Sequence, residues 1–537
     1  MGWCAPGTAG PRATSYRGAV LLRDVRLVAL TDPAADPAPA SSSGSTSGST
    51  SGDRVDVRVA DGRVVEVGPG LDPRAGEPAY DLGGGWLMPG LWDQHVHLGQ
   101  WTLASARLDL GPARSSAEAV AMVRERLEQW PDVPVIGWGH RPTAWPEVPV
   151  VSDLDAIDTD QPIVLIAGDG HHGWLNTTAL HVLALPTRED VVSEAEWFMA
   201  YGRLAAVLGS DGTGPDAYRR SMEAALAQGV VGLVDLEFSG GVADWAARWA
   251  GGADLLRIRH ACYADGLDDV LARGLRSGDP LDASLPGGSR LTMGPLKIIS
   301  DGSLNTRTAW CCEPYAEKAV AGFEEGQPNQ TPEELRALLA RAAAGGLDVA
   351  VHAIGDRAVT EALAAFEETG ARGGIEHVQL TTRDDVRRMA DLGVRASVQP
   401  AHLIDDRDVT ERLWPGRAER CFPLRWMLDD GVEVVLGSDA PVSPLDPWLA
   451  VAAAVHRSGD EREPWHPEQS ITAREALAAS TDGWGTVAVG HPADLVWLDA
   501  DPLAGGSDPD HAARLRGFAD HVRAVWVAGE RAYVSSD

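Results

Sequence analysis

Lysine is almost missing from this chain. Of its 46 basic residues only Lys297 and Lys318 are lysines, and asparagine is nearly as scarce, with Asn176, Asn305 and Asn329 alone. A chain so depleted should keep lysine mainly where arginine cannot replace it. Lysine can shed its proton and become a nucleophile or a carbamate; a guanidinium stays charged. Lys297 ends an apolar, strand-like run and fits that description, whereas Lys318, in Tyr-Ala-Glu-Lys-Ala, reads as solvated surface. Cysteine is sparse too: five residues, an odd number, with no CxxC spacing, which argues against a disulfide framework and a zinc ribbon. Positive charge is in short supply, and the net charge of −32 argues against nucleic acid or an anionic membrane as partner. No apolar run approaches the roughly 18 residues of a membrane span. Residues 1–17 carry no apolar signal core, and Pro6 stands where a myristoylation signal needs Ser or Thr. The expectation is a cytoplasmic protein. Phenylalanine (6) and tyrosine (7) are outnumbered by tryptophan (19), which reads first as packing and second as an aromatic substrate pocket.

What is present is organised. At 537 residues, two domains are expected. Residues 18–32 and 53–68 alternate apolar and polar, as do Ala493–Leu498 and Val522–Glu530. Strands at both ends predict a composite β-sandwich domain from 18–88 and 485–537, with the Ser/Gly-rich segment 32–52 as a disordered loop. The middle, 89–484, alternates strands and helices. Strands are predicted at 92–97, 230–236, 256–263, 292–299, 347–352, 373–377, 394–399 and 432–438, with helices such as Thr331–Ala344 and Arg357–Glu368 between them. The fold class is therefore α/β: a (β/α)8 TIM barrel, whose active site belongs at the C-terminal strand ends. The stretch 98–229 is too long for one connection and predicts an insertion after the first barrel strand that shapes the substrate pocket.

The candidate chemistry sits at those strand ends. His95 and His97, in Trp92-Asp93-Gln94-His95-Val96-His97, are two apart and share one face of a strand. His-x-His alone is weak, but Lys297, His352, His377 and Asp439 each close a further apolar run. Together they predict a divalent metal site whose donor set suits Zn²⁺. One zinc would take His95, His97, a further His and Asp439 or water; two would need a bridge, which a carboxylated Lys297 could supply. The expected reaction is hydrolysis of an amide-like carbon–nitrogen bond by metal-bound hydroxide, with Asp439 as general base.

In combination these residues resemble the metal-dependent amidohydrolase superfamily, and within it amidohydrolase family 3, the YtcJ-like branch that includes N-substituted formamide deformylases. The motifs that carry the resemblance are Met88–His97, Asp169–Asn176, Lys297–Leu304, His352–Ala358, Ile375–His377 and Gly437–Pro441, with Gly490–Val496 matching the terminal sandwich strand. The resemblance covers nearly the whole chain. It implies the barrel, the composite sandwich, a divalent metal (commonly zinc) and hydrolysis of carbon–nitrogen bonds. Asn305-Thr306 departs from it, standing where Gly-Ser is expected.

Substrate contacts are expected from His171, His172, Trp174 and Asn176, with a turn and an N-cap by Asn176 as the competing reading. Asp301 and Arg307 follow Lys297; Arg307 could clamp a substrate carboxylate or form a structural ion pair. The partner expected is a small-molecule amide-type substrate, with a homo-oligomer compatible. Two other classes stay open: a mononuclear-metal deaminase with no role for Lys297, and a catalytically silent metal-binding barrel.

Overall fold

In the computed structural model, the structure describes residues 18–31 and 53–536, apart from 106, 132, 141, 143–144, 168–171, 202, 205–213, 239, 318–322, 460–461 and 506–510. The expected loop 32–52 and Lys318 lie outside the described residues. No described helix is long and apolar enough to cross a membrane.

Eight parallel strands run in order around the barrel: Leu91–Val96, Val230–Asp235, Arg257–Cys262, Leu291–Ile299, Val349–Ala353, Gly373–His377, Arg395–Val398 and Val434–Leu436. Each falls on its predicted segment within two residues at either end. The eighth returns to the first just beyond its regular part, where Asp439 N–H donates to the His95 carbonyl at 2.7 Å and His97 N–H to the Ala440 carbonyl at 2.9 Å. Parallel strands covered by helices read as continuous apolar runs; the Val230–Asp235 strand is buried at every position. The intervening helices show the complementary pattern. Pro332–Gly345 begins with a capping box, Thr331 accepting the Glu334 N–H and Glu334 the Thr331 N–H, and buries Leu335, Leu339 and Ala342 on one stripe.

The chain termini build a second eight-stranded sheet. Its order is Glu530–Val534, Val522–Val527, Leu495–Leu498, Trp86–Pro89, Val20–Leu27, Arg54–Ala60 and Arg63–Gly68, with Ala79–Asp81 beside Val20–Leu27. N- and C-terminal halves meet where Leu498 pairs with Trp86 and Leu495 with Pro89. Leu22, Val57, Leu87, Leu495 and Trp526 share one apolar core.

The segment after the first barrel strand packs as a compact unit of its own, Leu98–Ser221 with Gly251–Ala253. Its five-stranded sheet has the order Val192–Ser193, His172–Leu175, Ile163–Ala167, Val135–His140, Leu108–Asp109. Val135–His140 and Ile163–Ala167 are adjacent and parallel in it.

Candidate metal centre at the C-terminal mouth of the barrel

The first strand delivers His95 and His97 to the mouth, and the last delivers Asp439. His95 Nε2 lies 3.3 Å and His97 Nε2 3.2 Å from Asp439 Oδ1. All three residues are buried. Asp439 reaches this place because its backbone leaves the strand at φ 58°, the left-handed region that a non-glycine residue enters at a cost of about 1–3 kcal/mol. His377 does the same at φ 72°. Its ring stands 5.0 Å from that of His95 and 4.5 Å from that of His352, centroid to centroid. Lys297 Nζ is 3.5 Å from His95 Nε2. The six predicted ligand positions therefore converge on one buried cluster.

Four further residues complete it, and sequence reasoning did not single them out. Glu376 Oε2 faces His95 Nδ1 at 2.7 Å. His402, at the start of the helix His402–Leu413, places Nε2 3.8 Å from Asp439 Oδ2 and stacks on His377 at 6.1 Å. Gln399 Nε2 lies 3.3 Å from His95 Nδ1. Asp93 Oδ1 accepts the backbone N–H groups of His95 (3.1 Å) and Ser438 (2.9 Å). Glu376 was visible as half of Glu-His, and Asp93 as the residue two before His95; His402 carried no strand signal at all.

The electrostatics are those of a site short of positive charge. Burial lowers the pKa of Lys297, against the pull of Glu376 and Asp439. Burial likewise lowers His95 and, with the neighbouring imidazoles, takes His377 well below its usual range; His352 falls to about 3. Burial alone would raise Glu376 and Asp439, but His95 with Lys297 and Ser397 at Glu376, and His95, His97, His377 and His402 at Asp439, outweigh it and hold both carboxyls down. The consequence is specific. Neutral His95 donates its Nδ1–H to ionised Glu376, so Nε2 presents its lone pair to Lys297 Nζ at 3.5 Å and to the Asp439 carboxylate at 3.3 Å. Two acceptors in contact call for a cation between them. His97 Nδ1, His377 Nδ1 and His402 Nε2 are also buried without a hydrogen-bond partner. Two groups could hold a metal ion, His95–His97–Asp439 and His377–His402–Asp439, with Asp439 common to both. The residues present fit a divalent metal.

The expected substrate contacts fare differently. Asp301 is fully buried, and its carboxylate accepts the N–H groups of Trp310, Ile354 and Gly355 at 2.9–3.1 Å. It fixes the loop around His352, whose Nε2 is 3.4 Å from Asp301 Oδ1. Arg307 pairs with Glu317 at 3.0 Å, the structural reading of the two. Trp174 is fully buried and donates to the Val150 carbonyl at 2.7 Å: a core residue. Asn176 caps the helix Thr177–Val182; its Oδ1 accepts from Ile163 and Ala179, and its Nδ2 donates to Gln161, so its capacity is spent within the insertion. His172 packs edge-on against His140 at 5.5 Å. His171 lies outside the described residues.

The amidohydrolase family matches residues 79–533, a span that includes the whole cluster. The chain belongs to this family. The family is one of hydrolases. The chain is 25% identical to the putative amidohydrolase YtcJ of Bacillus subtilis (strain 168), with 84% of this chain and 92% of that protein aligned. It is 26% identical to the N-substituted formamide deformylase of Arthrobacter pascens, over 83% of this chain and 90% of the other. Among solved structures, an uncharacterised metal-dependent hydrolase from Pyrococcus horikoshii OT3 superposes with a TM-score of 0.70 at 25% identity, covering 91% of this chain and 99% of that one. The family 3 resemblance and the barrel expected from sequence are both borne out.

Proposed function

We propose that this amidohydrolase-family chain is a metal-dependent hydrolase of a carbon–nitrogen bond other than a peptide bond, of the amide or formamide type. The observation that carries the reading is the His95 Nε2 lone pair held against the Asp439 carboxylate, with His97 on the same carboxylate and Lys297 beside them. His95, His97 and Asp439 would hold one ion, and His377, His402 and Asp439 a second; Lys297 and His352 stand beside them as further donors. Bound there, a divalent ion such as zinc would polarise the scissile carbonyl and acidify a water to near neutrality. The chain's own groups do the rest. Asp439, kept ionised, accepts the proton of the attacking water and returns it to the departing nitrogen. Glu376 holds His95 in the tautomer that leaves Nε2 free. Burial lowers the pKa of Lys297, which favours uptake of carbon dioxide by its amine as a carbamate. The kinship with an N-substituted formamide deformylase supports the choice of bond.

The test is metal-replete enzyme against N-formyl, N-acyl and cyclic amides and amino-heterocycles, with metal content measured in parallel. Release of amine from an amide sustains the reading. Ammonia from an amino-heterocycle alone, or inertness of the fully loaded protein, would overturn it.

A further inference from the structure

Asn305 stands where glycine is expected, and the structure gives its side chain a partner. It lies in the loop that leaves the fourth barrel strand, Leu291–Ile299. The near end of this loop is held to the mouth. The Asp301 carboxylate accepts the N–H groups of Trp310, Ile354 and Gly355, and the Gly302 carbonyl lies 3.2 Å from His352 Nε2. Thr306 closes the loop from within, its Oγ1 2.9 Å from Ser303 Oγ and 2.6 Å from Thr308 Oγ1. Leu304 is buried in one apolar cluster with Leu380 and Leu403. Asn305 itself is exposed, yet its Nδ2 donates to Asp406 Oδ1 at 3.0 Å. Glycine has no side chain that could do so.

Asp406 is a buried carboxylate on the helix His402–Leu413. It follows His402 by four residues, so the two share a helix face. Its other oxygen, Oδ2, accepts from Gln379 Nε2 at 2.9 Å, and Gln379 is two residues beyond His377. Among the described residues no arginine or lysine forms an ion pair with it. Burial raises the Asp406 carboxyl, and His402 pulls it back more than either amide does, so the imidazole is within electrostatic reach. A buried carboxylate with no strong cation on it is costly; what it joins is three segments. These are the loop lying against His352, the stretch that follows His377, and the helix that begins with His402. The rings those segments carry stand in a row, His352 to His377 at 4.5 Å and His377 to His402 at 6.1 Å.

We propose that Asn305 and Asp406 are positioning residues: their hydrogen bond ties the loop after the fourth strand to the His402 helix and fixes His402 for the His377–His402–Asp439 metal group, while the His95–His97–Asp439 group does not depend on it. This rests on the two metal groups of the proposed function and not on the bond that is cleaved.

The experiment titrates Co²⁺ into chelator-stripped full-length protein, read by calorimetry and by the visible spectrum of each bound ion. His402→Ala marks which ion belongs to the His402 group. Three further proteins are compared with wild type. Asn305→Asp sets carboxylate against carboxylate. Asp406→Asn leaves one oxygen for two amide donors. The double exchange restores the bond with donor and acceptor reversed, and keeps an oxygen for Gln379. Each single variant should raise the dissociation constant of the marked ion by about 10- to 100-fold, the usual effect of losing an outer partner, and leave the other ion within about twofold. The double exchange should recover most of the loss. Folded single variants that bind both ions as wild type does would overturn the proposal. So would equal weakening of both ions with a lower metal-free melting temperature, which makes the bond a general support of the mouth. A double exchange as weak as the single variants, or wild-type binding that His402→Ala leaves untouched, overturns it as well. Amide turnover is followed in the same proteins. The expected metal results without any amide cleavage keep the tether and remove the hydrolytic reading alone.

Discussion

Glu376→Gln separates metal binding from folding more cleanly than any change to a ligand. The side chain is buried, keeps its charge, and accepts the His95 Nδ1 proton at 2.7 Å. That one bond decides where the His95 proton sits. Glutamine keeps the shape but offers both an oxygen and an NH2. With the NH2 towards Nδ1, the imidazole proton moves to Nε2 and points at the place a cation would take. Losing such an outer partner typically costs about 10- to 100-fold in metal affinity, or roughly 1.4 to 2.7 kcal/mol. Stability should move the other way or not at all. In the metal-free protein Glu376 is a buried charge facing a neutral ring, and removing a buried charge without leaving a charged partner behind relieves desolvation. The expected result is a Zn²⁺ dissociation constant raised about 10- to 100-fold, read by chelator competition, with an unchanged or higher melting temperature without metal. An unchanged metal affinity in folded Glu376→Gln would show that Glu376 does not set the tautomer, and the lone-pair argument would lose its support.

Asp439→Asn should lower turnover by about 100- to 10,000-fold, the usual worth of acid–base catalysis; a variant within a few-fold of wild type removes Asp439 as the base. Lys297→Ala should lower metal occupancy, and a short-chain carboxylic acid should restore part of the activity if a carbamate has been lost. An unmodified Lys297 by intact mass, in fully active enzyme with one metal per chain, would defeat the carbamate. Asp301→Ala strands three buried N–H groups and should cost at least about 2 kcal/mol of stability, seen in chemical denaturation; a variant as stable as wild type would mean that the loop around His352 finds other acceptors.

Much of this was legible in the sequence, for definite reasons. Barrel strands buried on both faces tend to be apolar runs, so their positions, and the ligand-type residue at or near the end of five of them, could be read directly. Residue scarcity pointed to Lys297, which the structure sets against His95. For Asn176 substrate contact and a helix N-cap were both open, and the structure shows the cap. Asn305 donates to Asp406, and Asn329 donates to the Asp301 carbonyl. Arg307 and Asp301 were placed correctly after Lys297, but sequence could not show that Glu317 and three backbone N–H groups would already occupy them.

His402 was hidden by lying at the start of a helix rather than at a strand end, and Glu376 by a rule that holds elsewhere. Adjacent strand residues face opposite sides, so Glu376 and His377 should not both reach one cluster. They do because His377, the last residue of its strand, takes a left-handed backbone at φ 72°, as Asp439 does beyond its own strand at φ 58°. Regular strand geometry brings Glu376 and His95 to the barrel interior; broken geometry adds His377 and Asp439. That break has to be held in place, and the residues doing so are in the motifs. Asp93 Oδ1 accepts N–H groups from both His95 and Ser438, tying the first strand to the last one residue before Asp439 turns. The last strand can come that close only because residue 437 is glycine: a Cβ there would lie 2.7 Å from His95 N and 3.0 Å from Asp93 Oδ1. Asp-x-His-x-His and Gly-Ser-Asp are thus two halves of one clamp, joined across the closure of the barrel, and the carboxylate shared by both candidate metal groups sits where they meet.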